Sequence, residues 1–574
     1  MTTIYGPPAQ ARPVHDRFFA HAEPGRGADG GPGGVTRDLC AAAYLDEGFA
    51  AAATDEVLGD RRRAVVPAIG YDLVLVLRHC LRARRLWLAR DASLVLLLVV
   101  AYAAHRQATL TALTFAVYAA TPALVRALRR RGTAVRHVIV AAAAFVFLAP
   151  MALSLAGILP LLAALGSDDP ERQYAAFAEL AAADPKAALA AAVVIAVALF
   201  AVCAAFRATM LATRLDADGP RAGSPAAEHR LAVVGGAQNG NVVLHSGYSP
   251  FPGAGPVVRA WSIALELRAD LDAGGGAGPV PIDPVQLNRH VKRRLAALQS
   301  PALPERERVA GLALRDQIVA SGTRWHGYAL VDQQRQLPYS LAGPHAVEAV
   351  IRHPQAGARH FLRATVGADS APVRGAHGET LLAAEDQGKV LSSFVHIAVE
   401  GGMLYVESVT TVLGPVRARF RAFERYGDSP GALAAAALGA AIRDAGPAVL
   451  LAPWRLARAG AGAVRAWRRA DRADREHDRE PLYDYGARAD VRQLASRPEP
   501  ASYVQALDAE KYAKLLERRI SEAVVGFLRE HRVDTAEYET RINHIHNESV
   551  TIHGDNHGAV AAGTGARAAA KERS

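Results

Sequence analysis

From Leu86 to Phe206 the chain is almost continuously apolar. That tract constrains the fold more than anything else in the sequence. A helix of roughly 20 apolar residues covers the hydrocarbon core of a bilayer, about 30 Å. Four such segments can be read: 86–104, 108–125, 138–159 and 187–206. The first two are short and separated by His105, Arg106 and Gln107, so they suit either two full spans or one helical hairpin. The competing reading is a buried, alanine-rich soluble bundle. The third segment weighs against it, because it runs for over 20 residues without a charge.

The charges at the edges give an expected orientation. Basic residues collect on cytoplasmic flanks. Arg82, Arg84, Arg85 and Arg90 precede or open the first segment, Arg126, Arg129, Arg130, Arg131 and Arg136 separate the second from the third, and Arg207 and Arg214 follow the fourth. The loop between the third and fourth carries Asp168, Asp169, Glu171, Glu179 and Asp184 instead. Four spans place every basic cluster on one side. The expectation is a multi-pass protein of the plasma membrane with both termini cytoplasmic. Few ionisable groups fall inside the segments, which argues against a transporter or proton pump.

The 574 residues leave room for soluble domains, and the net charge of +10 sits largely beside the apolar segments, where anionic headgroups can neutralise it. The basic runs lack interleaved aromatics, so a bilayer and not nucleic acid is the expected partner. Cys40, Cys80 and Cys203 are isolated, which suggests neither a disulfide framework nor a zinc site. No apolar stretch near Met1 reads as a cleavable signal peptide.

The expected fold is an α-helical membrane domain of about four spans, a cytoplasmic α+β domain, and a C-terminal helix followed by a β-like tail. Residues 1–36 are rich in Gly and Pro and read as disordered; 37–85 read as cytoplasmic or interfacial helices, with Leu39, Ala43, Leu45 and Phe49 as one apolar stripe; 86–206 is the membrane domain and 207–229 a linker. The α+β domain spans 230–426. Residues 231–236 and 241–248 read as strands, followed by a strand at 257–267, a helix at 281–298 and a strand at 359–367. Two β-rich runs, 389–400 and 403–412, flank Gly401-Gly402 as a hairpin. Residues 427–480 read as amphipathic interfacial helices, with 431–453 touching the membrane without forming a fifth span. Within 481–539, the stretch 503–532 is helical, its stripe of Val504, Leu507, Leu515, Ile520, Val524 and Phe527 suited to packing or to a homo-oligomer through 503–562. The Asn/Gly-rich tail, 540–574, suits short stacked β-arches or no structure.

The run HSGYSPFPGAG, 245–255, invites comparison with a phosphate loop, but Pro250, Pro252 and Pro256 remove backbone donors and a strand follows. A rigid loop that packs or recognises a ligand is the better reading, with Asn239, Asn241, Ser246, Tyr248 and Ser249 as its polar groups. Gly-x-Ser-x-Gly is absent around Ser246. His245, His290, His326, His345, His353, His360, His377 and His396 show no metal spacing; His377 with Glu379 makes no site, and Glu400 and Glu407 beside the hairpin turn make no acid–base pair. His544, His546, His553 and His557 lack carboxylates or cysteines at metal spacing. No catalytic residue, metal or cofactor is therefore expected.

SGYSPFPGAG followed by WSIALEL resembles a signature of actinobacterial multi-spanning membrane proteins of unknown function. FVHIAVEGGMLYVES, YDYGARADVRQLAS and AEKYAKLLERRISEAVVGFLREHRVDT resemble the same family's other blocks. The resemblance covers 38–90 and 230–562 and implies architecture and an assembling tail, with no activity. The expected function is a membrane-anchored, non-enzymatic protein whose cytoplasmic domain binds a ligand or protein partner. The alternatives are a membrane-tethered enzyme with a discontinuous site near 239–255 and an oligomeric pore.

Overall fold

The computed structural model describes residues 18–23, 34–130, 132–181, 185–213, 219–270, 279–304, 307–309, 311–369, 373–375, 377, 379–382, 386–421, 430–497 and 502–547. The chain divides into two compact units, each assembled from separated stretches: one from 1–78, 221–421 and 470–574, the other from 79–220 and 422–469.

The helical unit follows from the apolar tract. Its helices are α3 (Leu73–Ala104), α4 (Arg106–Arg130), α5 (Val135–Leu165), α6 (Pro170–Ala181) and α7 (Pro185–Thr213), preceded in the chain by α1 (Gly34–Leu45) and α2 (Glu47–Leu58). Among the described residues, four helices are long and apolar enough to cross a membrane, within 73–104, 106–129, 135–152 and 186–210. Segments 86–104 and 108–125 thus each belong to a long helix, since the chain breaks only at His105. Of Leu96, Ile139, Phe147, Val194 and Val197, each is more than half exposed. A soluble bundle would bury such side chains, at about 25 cal/mol per Å² of apolar surface. A further helix joins this unit. Leu94, Ala116, Leu199 and Cys203 pack with Ala448, Val449 and Ala452. Gly446 makes that approach: a Cβ there would stand 2.6 Å from the Ala120 nitrogen.

The other unit is built on a six-stranded sheet. Its strands are β1 (Val242–His245), β2 (Val257–Glu266), β3 (Leu312–Ser321), β5 (Ala358–Asp369), β6 (Asp386–Glu400) and β7 (Met403–Leu413), with β4 (Thr323–Trp325) following β3 outside the sheet. The order is β1-β3-β5-β6-β7-β2, with β1 parallel to β3 and the rest antiparallel. Gly401 and Gly402, at φ 60° and 76°, close the β6–β7 hairpin, whose register pairs Glu400 with Met403. Two-residue hairpin turns demand this left-handed backbone, and glycine adopts it without steric cost.

One face of the sheet packs on α9 (Pro284–Ala296), α13 (Tyr503–Glu530) and α14 (Ala536–Asn547), through Leu287, Val291, Leu516, Ile520, Val524 and Ile542. The remaining helices are α8 (Pro225–Ala237), α10 (Pro344–Arg352), α11 (Pro430–Arg479) and α12 (Val491–Ala495), and β8 is Leu482–Asp484. On α13 the stripe divides: Ile520, Val524 and Phe527 are buried, whereas Val504 and Leu507 are more than half exposed.

Several expectations need correction. Residues 231–236 form part of α8 and not a strand. Ser224 caps that helix by accepting from Ala227 N, Pro225 starts it, and Leu231 and Val234 share its buried face. The stretch 38–58 is two helices, because Asp46 leaves the first and caps the second, accepting from Phe49 N at 3.1 Å. Both helices are packed into the core of their unit: Leu39, Ala42, Ala43, Ala50 and Ala53 are fully buried. Within 1–36, Phe19–Ala20 pairs with Leu341–Ala342; the other residues before Gly34 lie outside the described ones. The tail begins as helix, not as β-arches, with Ile542 in the core. Residues 548–574 lie outside the described ones.

Candidate functional site

Three distant stretches meet at the end of β1: 57–73, 245–255 and 483–493. β1 continues into a parallel bridge between His245 and Ala487. Ala487 N donates to the Leu244 carbonyl at 2.8 Å and Ser246 N to the Ala487 carbonyl at 3.0 Å. Gly486 allows this contact, since a Cβ there would fall 2.4 Å from Ser246 N.

The loop after β1 is anchored at its far end. Phe251 stacks on Phe394 with centroids 4.0 Å apart and meets Phe361 edge-on at 5.1 Å. These rings, with Val243, Val319 and Val409, fill the face of the sheet opposite α13. Gly253 and Gly255 have φ of 80° and 85°. Gly253 lies against Asp490 and donates to Gln493 Oε1 at 3.2 Å; Gly255 lies against the Val412 carbonyl. The prolines and glycines therefore build a rigid support, as a phosphate-cradling loop would not.

A polar network fixes the other end. Ser246 donates to Asp484 Oδ2 at 2.7 Å. Arg63 donates to the same oxygen at 2.8 Å, to Asp60 at 3.0 Å and to the Gly486 carbonyl at 2.9 Å. Burial opposes the Asp484 charge, but Ser246, Arg63 and the Gly486 N–H outweigh it and hold the carboxyl below the usual range. Beneath them Asp490 accepts from Tyr71 at 2.7 Å and from Gln493 N at 3.0 Å, capping α12; burial raises both its pKa and that of Tyr71. Arg492 donates to the carbonyls of Ile69 and Gly388. A narrow cleft beside the junction is lined by Glu56, Arg63, Val66, Ala487, Arg488 and Asp490.

The five polar residues singled out in sequence separate into two groups. Asn241 is used within the fold: its amide donates to the Ala342 carbonyl at 3.1 Å and accepts from Ala342 N at 2.7 Å. Ser246 is engaged by Asp484. Asn239 sits in the turn after α8, its N–H on the Gly236 carbonyl. Ser249 accepts from Phe251 N at 3.4 Å, and Tyr248 is fully exposed at the loop tip. Of the five, Tyr248 and Ser249 stand at the exposed tip; Ser246 anchors the start of the loop through Asp484, and Asn239 and Asn241 lie before β1, away from it.

Sequence reasoning missed several chemically distinctive groups. Tyr485, fully buried, has its hydroxyl between His326 Nδ1 at 2.9 Å and His477 Nε2 at 3.0 Å. Burial, aided by Arg62 and His326, lowers the His477 pKa, and burial pushes the Tyr485 phenol up to about 12. Asp316 accepts from His360 at 3.0 Å and from Lys292 at 2.5 Å. Burial opposes its charge, yet these two donors bring it down to about 2. Lys389 is buried, which lowers its ammonium to about 8. In the helical unit, Arg90 and Asp91 form a buried pair at 2.8 Å, with Arg90 4.5 Å over Trp87 and 4.9 Å over Phe206. The adjacent charges in an apolar stretch were the available signal for that pair. Among the described residues no group of three or more His, Cys, Asp or Glu side chains is arranged to hold a metal ion.

The model of the AbeC-like domain matches residues 260–561. The chain belongs to the AbeC-like domain family. The match begins inside β2 and takes in the hairpin, α11, the 483–496 block, α13 and α14, so one of the junction's three stretches, 483–493, lies within the matched residues, and the 245–255 loop just precedes them. No curated protein and no solved structure matches the chain.

Proposed function

We propose that this protein is anchored in the plasma membrane by its four apolar helices, with both termini and the α+β unit on the cytoplasmic side, and that the α+β unit binds a ligand or protein partner through the 245–249 tip. The exposed apolar surfaces of α3, α5 and α7 support insertion. The clustered arginines support the orientation. The resemblance to actinobacterial multi-spanning proteins agrees with both, and the exposed Val504 and Leu507 suit self-association.

The observation that carries the binding role is the contrast within one loop. Its base is pinned by Phe251, Gly253, Gly255 and Asp484, while Tyr248 is fully exposed at the tip. A large aromatic held out on a preorganised support gives contact area at little entropic cost. A thermal-shift screen of the full chain in detergent micelles, against nucleotides, metal ions and phospholipid headgroups, tests this. Stabilisation that Tyr248→Ala abolishes supports a small-molecule site at the tip. Stabilisation unchanged by that variant overturns it. A flat screen directs the test to capture from native membranes, where loss of one defined partner with Tyr248→Ala is expected. For orientation, cysteines placed at Asp168 and Arg458 should label from opposite sides of sealed vesicles.

A further inference from the structure

α11 changes character at Pro453. Before it, Ala448, Val449 and Ala452 pack among the apolar helices. After it, nearly every side chain to Arg469 is exposed or half-exposed. At 100° per residue, Arg458, Arg465, Arg468, Arg469 and Arg472 fall within an arc of about 100°, with Trp454 in the same arc. The stripe is about 21 Å long, from the helical rise of 1.5 Å per residue. Of the helix's acidic residues after Pro453, Asp471, Asp474 and Asp478 lie outside the arc, Asp471 and Asp474 engaged by Arg475 and Arg62; Glu476 alone falls within it, one turn beyond the last stripe arginine. Among the described residues, no ion pair joins a carboxylate to any of the five stripe arginines. Trp454 and Trp467 are about two-thirds exposed.

The geometry points to this stripe as a docking face for the anionic headgroups of a lipid bilayer. Uncompensated arginines on one side of a helix attract phosphate-bearing lipids, each contributing independently, and the exposed Trp454 in the same arc suits the same depth, whereas Trp467 lies on the other side of the helix. A bilayer fits better than nucleic acid because the same helix packs among membrane-type helices in the turns just before Pro453. This assignment rests on the proposed membrane insertion.

The test uses the full chain reconstituted in nanodiscs. Cys40, Cys80 and Cys203 are buried, so a cysteine at exposed Ala461, inside the arc, can carry an environment-sensitive fluorophore. The expected result is a blue shift in discs containing phosphatidylglycerol relative to phosphatidylcholine alone, reversed by high salt. Arg458→Gln, Arg465→Gln and Arg469→Gln together should abolish it, while melting of the α+β unit stays unchanged. Equal emission in the two lipids overturns the proposal, as does a shift that survives the triple substitution. A shift that tracks protein concentration and not lipid charge also overturns it, by pointing to a second copy. Failure of the chain to enter discs at all would instead sink the membrane reading itself.

Discussion

Single residues in this protein bind distant stretches of chain more than they present chemistry. Arg230 is the clearest case. It is 6% exposed, and its guanidinium donates to the carbonyls of Val57, Asp60, Arg61 and Arg63 at 2.9–3.2 Å. Burial lowers its pKa to about 10, so it stays charged at neutral pH. Arg230→Ala removes the donor shared by four carbonyls, and should cost about 3 kcal/mol. Arg230→Lys should recover only part, since one ammonium cannot match a planar fork. Thermal melting of the α+β unit checks both. The Tyr485 hydroxyl gives a second residue-scale expectation. It can donate to one histidine and accept from the other only while at least one imidazole is neutral. With the His477 pKa lowered by burial, the unfolded chain takes up the proton first as pH falls through about 6.5. The neutral-histidine contribution is therefore complete above about pH 6.5 and is lost progressively below it. Melting at pH 7.5, 6.5 and 5.5 should fall more steeply for the wild type than for His477→Gln; parallel curves would refute the assignment.

At the scale of elements, the 245–255 loop acts as a wedge whose aromatic fills the sheet face. Gly255→Ala would put a Cβ 2.3 Å from the Val412 carbonyl while φ is 85°. Strain and clash together should cost about 3 kcal/mol. Phe251→Ala should cost about as much through the cavity beside Phe394 and Phe361. If the loop's role is to support its tip, either change should remove ligand or partner binding with Tyr248 intact, and a binding-competent Gly255→Ala would refute the coupling. The elements differ in how plainly the sequence announces them. The β6–β7 hairpin was legible because β-rich runs flank two glycines. α13 was legible because its apolar residues recur at helical spacing. β3 was not, although it pairs with both β1 and β5, because Arg315, Asp316 and Gln317 interrupt its apolar pattern. Asp316 is tolerated only through His360 and Lys292, which local patterning cannot show. α8 was misread for the opposite reason: Val233-Val234 suggests a strand, and the Ser224-Pro225 start decides the matter. At the site, composition identified the loop, but which polar groups it spends internally depended on residues 63, 342 and 484.

In the whole molecule, neither unit is a contiguous stretch of chain. The α+β unit draws on 1–78 as well as 221–421 and 470–574. A boundary near residue 226, natural from the Gly/Pro-rich linker, would cut through its core. A chain of residues 226–574 lacks α1 and α2, with Leu39, Ala43, Phe49 and Ala53, and loses the Phe49 ring 5.9 Å from Phe420. It also strands polar groups: buried Asp490 loses Tyr71, buried Arg492 loses the Ile69 carbonyl, buried Arg230 loses its four acceptors, and half-buried Asp484 loses Arg63. Any one such loss costs about 1–3 kcal/mol, and their sum rivals the 5–15 kcal/mol stability of a typical domain. The expected outcome is that 226–574 shows no cooperative melt by circular dichroism and is degraded rapidly by protease, whereas adding residues 34–78 as a separate peptide restores both the transition and the resistance. A cooperative melt for 226–574 alone, at the temperature of the same unit in the full chain, would mean that the N-terminal helices are ornament to a core complete without them. Restoration by the peptide would instead place the N-terminal segment among the determinants of the 245–255 loop, because Arg63 and Tyr71 hold Asp484, Gly486 and Asp490, the residues packed against it.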